Sequence, residues 1–157
     1  MAIKLLLTGK TDKIFVKDGE ELYAGRISRY ISFQLKTLPG LKKTGKMPVE
    51  SVKEKEGDLA LREINENDFV ILLDEKGKQL SSVQFSEFIS KKMNEGVKNM
   101  VFIIGGAYGF HGKVRQRAQL TLSLSKMTFS HQIVRIIFLE QLYRAFTIMK
   151  GEPYHHE

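Results

Sequence analysis

Short apolar runs alternate with segments of helical period along the chain. Ile3–Leu7 is a compact apolar run closed by Thr8-Gly9-Lys10, the pattern of a buried strand. Asp18–Leu35 carries Leu22, Ile27, Tyr30, Ile31 and Phe33 mostly on one side and predicts a helix, with Leu35–Leu38 as a candidate second strand before Pro39-Gly40. Val52–Asn65 predicts a polar helix whose apolar residues are Leu59, Leu61 and Ile64. Phe69–Leu73 is a strong buried strand, and Asp74-Glu-Lys-Gly77 predicts a turn. Ser81 or Ser82 then caps a helix with Phe85, Phe88, Ile89 and Met93 at core spacing, ended by Gly96. Met100–Ile104 is the next buried strand, and Gly105-Gly106 follow at once. Gly112–Gln119 predicts a short basic helix, Leu120–Leu124 the last strand, and His131–Met149 a long apolar helix before the tail Glu152–Glu157. Strands alternating with helices predict an α/β fold: a mostly parallel sheet flanked by helices on both faces, in a single domain over residues 1–157.

The last helix differs from the others. Ile133, Val134, Ile136, Ile137, Phe138, Leu139, Leu142, Tyr143, Ala145, Phe146, Ile148 and Met149 cover almost its whole circumference. A helix apolar all round is buried on more than one side, so one face is expected on the sheet and another in a homodimer interface. Glu140 and Arg144, and likewise His131 and Arg135, stand four residues apart on it, as plain helix-surface electrostatics or as parts of a site.

Composition narrows the class. Apolar residues make up 42% of the chain, a globular value. No run approaches the about 18 residues a bilayer span needs, and no leader is visible, which predicts a cytoplasmic protein with no membrane segment. Without cysteine there is neither a disulfide framework nor a thiolate metal site. The 25 Lys and Arg against 18 acids leave a net charge of +7, a surplus that suits a nucleic-acid partner and equally a plain basic surface. Leu41–Lys55, with Lys42, Lys43, Lys46, Lys53 and Lys55, reads as a surface loop, in contact with phosphates or simply solvated.

Several familiar chemistries are absent. Gly9-Lys10-Thr11 is not a nucleotide P-loop, because Lys4 occupies the position where that motif needs glycine. Gly105-Gly106-Ala107-Tyr108-Gly109 lacks the dinucleotide spacing, although a glycine pair after a buried strand lets a ligand approach the backbone. Ser123 and Ser125 with His131 have no nucleophile elbow around them. His155-His156 alone make a poor metal site, so no metal is expected.

The motifs go further. Leu73-Asp74 with Gly77-Lys78, Phe102-Ile-Ile-Gly-Gly106 with Gly109, Leu122-Ser-Leu-Ser-Lys-Met-Thr-Phe129, His131, Arg135, Glu140-Gln-Leu-Tyr-Arg-Ala145 and Pro153-Tyr-His155 span the chain. With Gly9-Lys10 and the Tyr30 region, this set closely resembles the ribosomal RNA large-subunit methyltransferase H family, pseudouridine N3-methyltransferases of the SPOUT class. Ser130 departs from the proline usual in the family, and a serine can still cap the following helix.

The resemblance implies a SPOUT-type fold with a C-terminal trefoil knot and a homodimer. It implies S-adenosylmethionine as cofactor, held by Leu73, Gly105, Gly106 and the loop Leu124, Ser125, Lys126, Met127, Thr128 and Phe129. The implied reaction is methyl transfer to N3 of a pseudouridine in large-subunit (23S) ribosomal RNA within the assembled ribosome. Methyl and N3 must then be held in line, and the N3 proton must leave. His131, Tyr154 and His155 are the titratable candidates, with Arg144 to hold RNA or orient the base. His131 has a second reading as a neighbour of the helix start, and Tyr154 and His155 as RNA contacts or dimer packing. Lys10, Arg26, Arg29, the lysines of Leu41–Lys55, Lys113, Arg115 and Arg117 are candidate RNA contacts. A non-catalytic RNA-binding protein and an enzyme acting on transfer RNA are the alternatives.

Overall fold

The apolar runs become the middle of a sheet. The computed structural model describes residues 1–156. Its elements are β1 (Ala2–Thr8), α1 (Ile14–Ile27), β2 (Ser32–Leu38), α2 (Val49–Leu61), β3 (Phe69–Gln79), α3 (Ser82–Asn94), β4 (Asn99–Ile104), α4 (Gly112–Arg117), β5 (Leu120–Ser123) and α5 (Ile133–Lys150). The five strands lie in the order β2-β1-β4-β3-β5, and every pairing is parallel.

Both faces of the central strands are covered, which is why their sequences are continuous apolar runs rather than alternating ones. Leu5, Leu7, Ile71, Leu73, Phe102 and Ile104 face one core, against Ile27 of α1, Phe85 and Ile89 of α3, and Phe138, Leu142 and Phe146 of α5. Leu6, Val70, Leu72, Val101 and Ile103 face the other, against Ala60 of α2 and Val114 of α4. Phe102 and Phe138 meet at a ring separation of 4.8 Å, with Phe85 edge-on to each. Connections that step one way along the sheet carry their helices over the first face, and those that step back carry them over the second. A constant crossover hand requires that alternation.

The elements depart from the sequence pattern in four places. The helix expected over Asp18–Leu35 starts earlier, at Ile14, and stops at Ile27. Ser28 bonds back to the Ala24 carbonyl through both N–H and Oγ, and Phe33 and Leu35 then pair beside Ile3 and Leu5 as strand. The basic loop is shorter than expected, because Pro48 stands before the first turn of α2. Asp74–Gly77 is not a turn. β3 runs on to Gln79, pairing with β5 in two registers, Leu73 and then Lys78 opposite Leu122, so that residues between them bulge. Finally, α5 packs on the sheet between α1 and α3, so neighbours within the chain bury much of the surface assigned to a partner. On α1 and α5 the large apolar side chains still exposed are Ile14, Phe15 and Leu22 on the first and Ile133 on the second. No helix among the described residues is long and apolar enough to cross a membrane.

Gly77 is the tightest point of the bulge: a Cβ there lies 2.6 Å from the backbone carbon of Leu122. Gly77→Ala therefore forces β3 and β5 apart and is expected to lower unfolding free energy by about 2 kcal/mol, read from urea denaturation.

Candidate active site

Parallel strands bring their carboxyl ends to one edge, where α/β sheets bind ligands. Leu73 pairs with Ile104 and with Leu122, so the chain leaving β3, β4 and β5 encloses one cleft of about 470 Å3. The β3 bulge gives it Asp74, Glu75 and Lys76, the turn after β4 gives Gly105 to Phe110, and the loop after β5 gives Leu124, Ser125, Met127 to His131, with Val134 behind them.

Two glycines sit where a Cβ would be crowded. A Cβ on Gly105 meets the Phe110 ring at 3.2 Å, and one on Gly106 meets the Glu56 carboxylate at 2.7 Å. The turn closes with Gly109 in the left-handed region at φ +78° and its N–H donating to the Gly106 carbonyl. The loop after β5 is held by its own hydroxyls. Ser123 Oγ donates to the Ser125 carbonyl, Ser125 Oγ accepts from Met127 N–H, and Thr128 Oγ1 donates to Glu75 Oε2 at 2.7 Å across the cleft. Ser130 Oγ accepts from Ile133 N–H at the head of α5, so serine serves where proline was the expected residue. Met127 is 76% exposed, which sets aside core packing as its role.

Of the residues singled out in the sequence, Leu73, Gly105, Gly106, Leu124, Ser125, Met127, Thr128, Phe129 and His131 line this cleft. Lys126 is exposed and outside the lining. Arg144, Tyr154 and His155 lie elsewhere in this chain: Arg144 is ten residues beyond Val134 on α5, about 15 Å along the axis. There they form a second cluster. Arg144 Nε donates to Glu140 Oε1 at 3.1 Å, its Nη1 donates to His155 Nδ1 at 3.3 Å, and its guanidinium lies 4.8 Å over the Tyr154 ring. Tyr154 OH donates to Glu140 Oε1, and its ring meets Tyr143 edge-on. Burial, then the Tyr23 hydroxyl and Glu140, hold the Tyr154 phenol well above its usual range. Tyr30, bonded to Glu152, is pushed up to about 12. Both are therefore neutral donors near pH 7. The expected Glu140–Arg144 pair is present, but His131 and Arg135 do not pair through their side chains: Arg135 turns inward and bonds the His131 carbonyl.

Sequence patterning missed Asp74 and Glu75 as cleft residues, because the bulge read as a turn, and placed Arg115 only among the candidate RNA contacts. Burial pushes the Asp74 carboxyl up, but the Lys76 N–H and Arg115, at 2.7 Å, outweigh it and hold the group below its usual range. Among the described residues no cluster of His, Asp or Glu is placed to hold a metal ion. The cleft offers apolar walls (Leu73, Ile104, Leu124, Val134), backbone edges at the glycine turn, and two carboxylates. That donor set fits an elongated ligand with a flat heterocycle at one end and a cationic centre, as S-adenosylmethionine is.

An open parallel sheet with a glycine-turn cleft at its carboxyl edge defines a ligand-binding α/β protein of the doubly wound type. The family described as "Predicted SPOUT methyltransferase" matches residues 1–155. The chain is 54% identical over 156 residues to the ribosomal RNA large subunit methyltransferase H of Christiangramia forsetii, covering 99% of each, and 51% identical to that of Flavobacterium johnsoniae over the full length of both. It thus belongs to the SPOUT methyltransferases and, within them, to the ribosomal RNA large subunit methyltransferase H family. A solved structure, a probable methylase family protein from Haemophilus influenzae, is similar in fold with a TM-score of 0.54 at 12% identity, over 95% of this chain and 66% of that one.

Arg115→Met removes the cation from Asp74. A carboxyl held low in the folded state stabilises it above the unfolded value and loses that contribution as pH falls. With Arg115 exposed at its rim, the variant is expected to be less stable by under about 1 kcal/mol at pH 7, the gap closing below about pH 4, in urea melts across pH.

Proposed function

We propose that this protein transfers a methyl group from S-adenosylmethionine to N3 of a pseudouridine in 23S ribosomal RNA, acting on the assembled ribosome in the cytoplasm as a homodimer. The observation that carries the reading is the cleft: the residues that the family resemblance assigns to the cofactor, Lys126 apart, come from three separate strand ends and line one cavity. Leu73, Gly105, Gly106 and the loop Leu124–Phe129 would hold the cofactor, which supplies an electrophilic methyl on a sulfonium. The near-full-length identity to ribosomal RNA methyltransferases supports the substrate class.

The chain's own groups then have defined tasks. Asp74 and Glu75 place negative charge beside the cleft, where a cationic centre is favoured. The Gly105–Gly109 turn fixes backbone edges against the ligand, the positioning part of catalysis. The N3 proton goes to His131, His155 or water, since the Tyr154 phenol stays neutral. Arg144 and Glu140 orient the tail through Tyr154 and His155.

The separation of the two clusters supports the dimer. The tail takes part in the reaction only if a second copy brings it to the cleft, and Ile14, Phe15, Leu22 and Ile133 are apolar surface for such contact. Of the basic candidates, Lys113 pairs with Glu54, Arg115 with Asp74, and Arg117 holds the carbonyls of Asn65, Glu66 and Asp68. Arg26 stacks on Tyr23 and Tyr143. Lys10, Arg29, Lys42, Lys43 and Lys46 stand exposed for RNA, so ribosome binding is expected to weaken steeply with salt.

Radiolabelled methyl transfer to ribosomes lacking the modification, with free ribosomal RNA and transfer RNA in parallel, tests the reading: label on intact ribosomes alone is expected. Label on transfer RNA, or none with bound cofactor absent, overturns it. Tyr154→Ala is expected to abolish transfer and leave cofactor affinity nearly intact, and sedimentation at micromolar concentration is expected to give a dimer.

A further inference from the structure

Among the described residues, Arg135 is the largest side chain with no exposed surface. Its guanidinium makes no direct ion pair among the described residues. Nε donates to the His131 carbonyl at 3.0 Å, Nη1 to Thr11 Oγ1 at 2.7 Å, and Nη2 to the carbonyls of Thr8 and Gly9 at 2.9 and 3.1 Å. Thr11 bridges the guanidinium to a carboxylate, its hydroxyl donating to the buried Glu20 at 2.7 Å. Gln132 adds a two-point grip: its Oε1 accepts from Asp12 N–H and its Nε2 donates to the Lys10 carbonyl. Five of these bonds, those that reach Thr8, Gly9, Lys10, Thr11 and Asp12, join the head of α5, directly after the loop of the cleft, to the end of β1 and the β1–α1 loop.

A buried arginine is a poor way to gain stability, because desolvation consumes most of what its bonds return. What it provides is register. The β1–α1 loop lies across the place where β1 and β4, neighbours in the sheet, send their chains to opposite faces, the crevice in which doubly wound sheets take ligands. Thr8, at the root of that loop, lies beside Gly105 and Gly106. The clamped backbone carries exposed Lys10 and Lys13, cations on a rigid strap beside the cleft.

We propose that Arg135 and Gln132 are positioning residues for the nucleic-acid substrate, locking the β1–α1 loop to the head of α5 so that Lys10 meets a backbone phosphate at fixed distance from the cleft. The inference rests on the RNA methyltransferase reading above. The phosphate is the ligand, and the clamp sets where the strand lies relative to the cofactor loop.

The test measures kcat and KM on ribosomes against salt for wild type, Lys10→Ala, Gln132→Leu and Arg135→Lys, with cofactor affinity and limited trypsin digestion alongside. Lys10→Ala is expected to raise KM about tenfold and to reduce the slope of log KM against log salt by about 0.7 to 0.9, with cofactor affinity unchanged. Gln132→Leu keeps Lys10 yet is expected to reproduce that loss, and to admit trypsin after Lys10 and Lys13 where the wild type resists. Arg135→Lys, which retains charge but fewer bonds, is expected to fall between. A merely structural role lowers thermal stability in Gln132→Leu and leaves KM and its salt slope at wild-type values, and that outcome overturns the inference, as does trypsin resistance in the variant. If Lys10→Ala weakens dimer formation instead of ribosome binding, the loop serves a second copy and the inference falls. Wild-type protein that methylates no RNA overturns the underlying reading, a result distinct from variants that fail while the wild type works.

Discussion

Parallel pairing of β1, β4 and β3 in the middle of the sheet is the constraint from which the rest follows. A parallel pair has no short hairpin, so each connection crosses a face, and those faces are closed by α1, α3 and α5 on one side and by α2 and α4 on the other. Closure removes Leu5, Leu6, Leu7, Ile71, Leu72, Phe102 and Ile103 from water altogether. It also points all the strands the same way, so that chain leaving β3, β4 and β5 collects at one edge. The cleft is a by-product of that polarity, refined by glycines where the backbone has to pass close to Phe110 and Glu56.

The site is polar without being solvent-like. Asp74 stays ionised despite partial burial, because a backbone N–H and a guanidinium answer it. Thr128 reaches over to Glu75 and ties the loop after β5 to the bulge of β3. A cationic ligand entering there meets fixed negative charge rather than water that has to reorganise, which is the electrostatic economy of preorganised sites. Glu56 is the contrary case. One of its oxygens is buried against Gly106 with no hydrogen-bond partner among the described residues, and burial alone raises its pKa.

Most of the sheet was legible, because a strand buried on both faces leaves an apolar run that periodicity detects: Ile3–Leu7, Phe69–Leu73 and Met100–Ile104 all appear as read. The misreadings have physical sources. Asp74-Glu-Lys-Gly77 has turn composition, yet an edge pairing with β5 carries it as a bulge. Phe33 fits a helical stripe and a strand equally, and its pairing with Ile3 decides. The apolar circumference of α5 demanded cover, but its sequence does not say that α1 and α3 supply much of it. The residues proposed to hold the cofactor were legible only through the family resemblance, since core packing is the plain reading of apolar Met127 and Phe129 in sequence. The inward turn of Arg135 was not legible, because its i,i+4 spacing from His131 carries no information about which side of the helix is buried.

The two ends of α5 serve different sites, with His131 and Val134 at the cleft and Arg144 holding the tail. The helix between them is therefore a ruler as well as a wall. Losing one residue from its middle would bring the ends about 1.5 Å closer and turn one against the other by about 100°. Its core-facing side chains would move off the sheet in the same step. Substitutions along its outer face leave both quantities untouched, so this segment has freedom in identity and almost none in length.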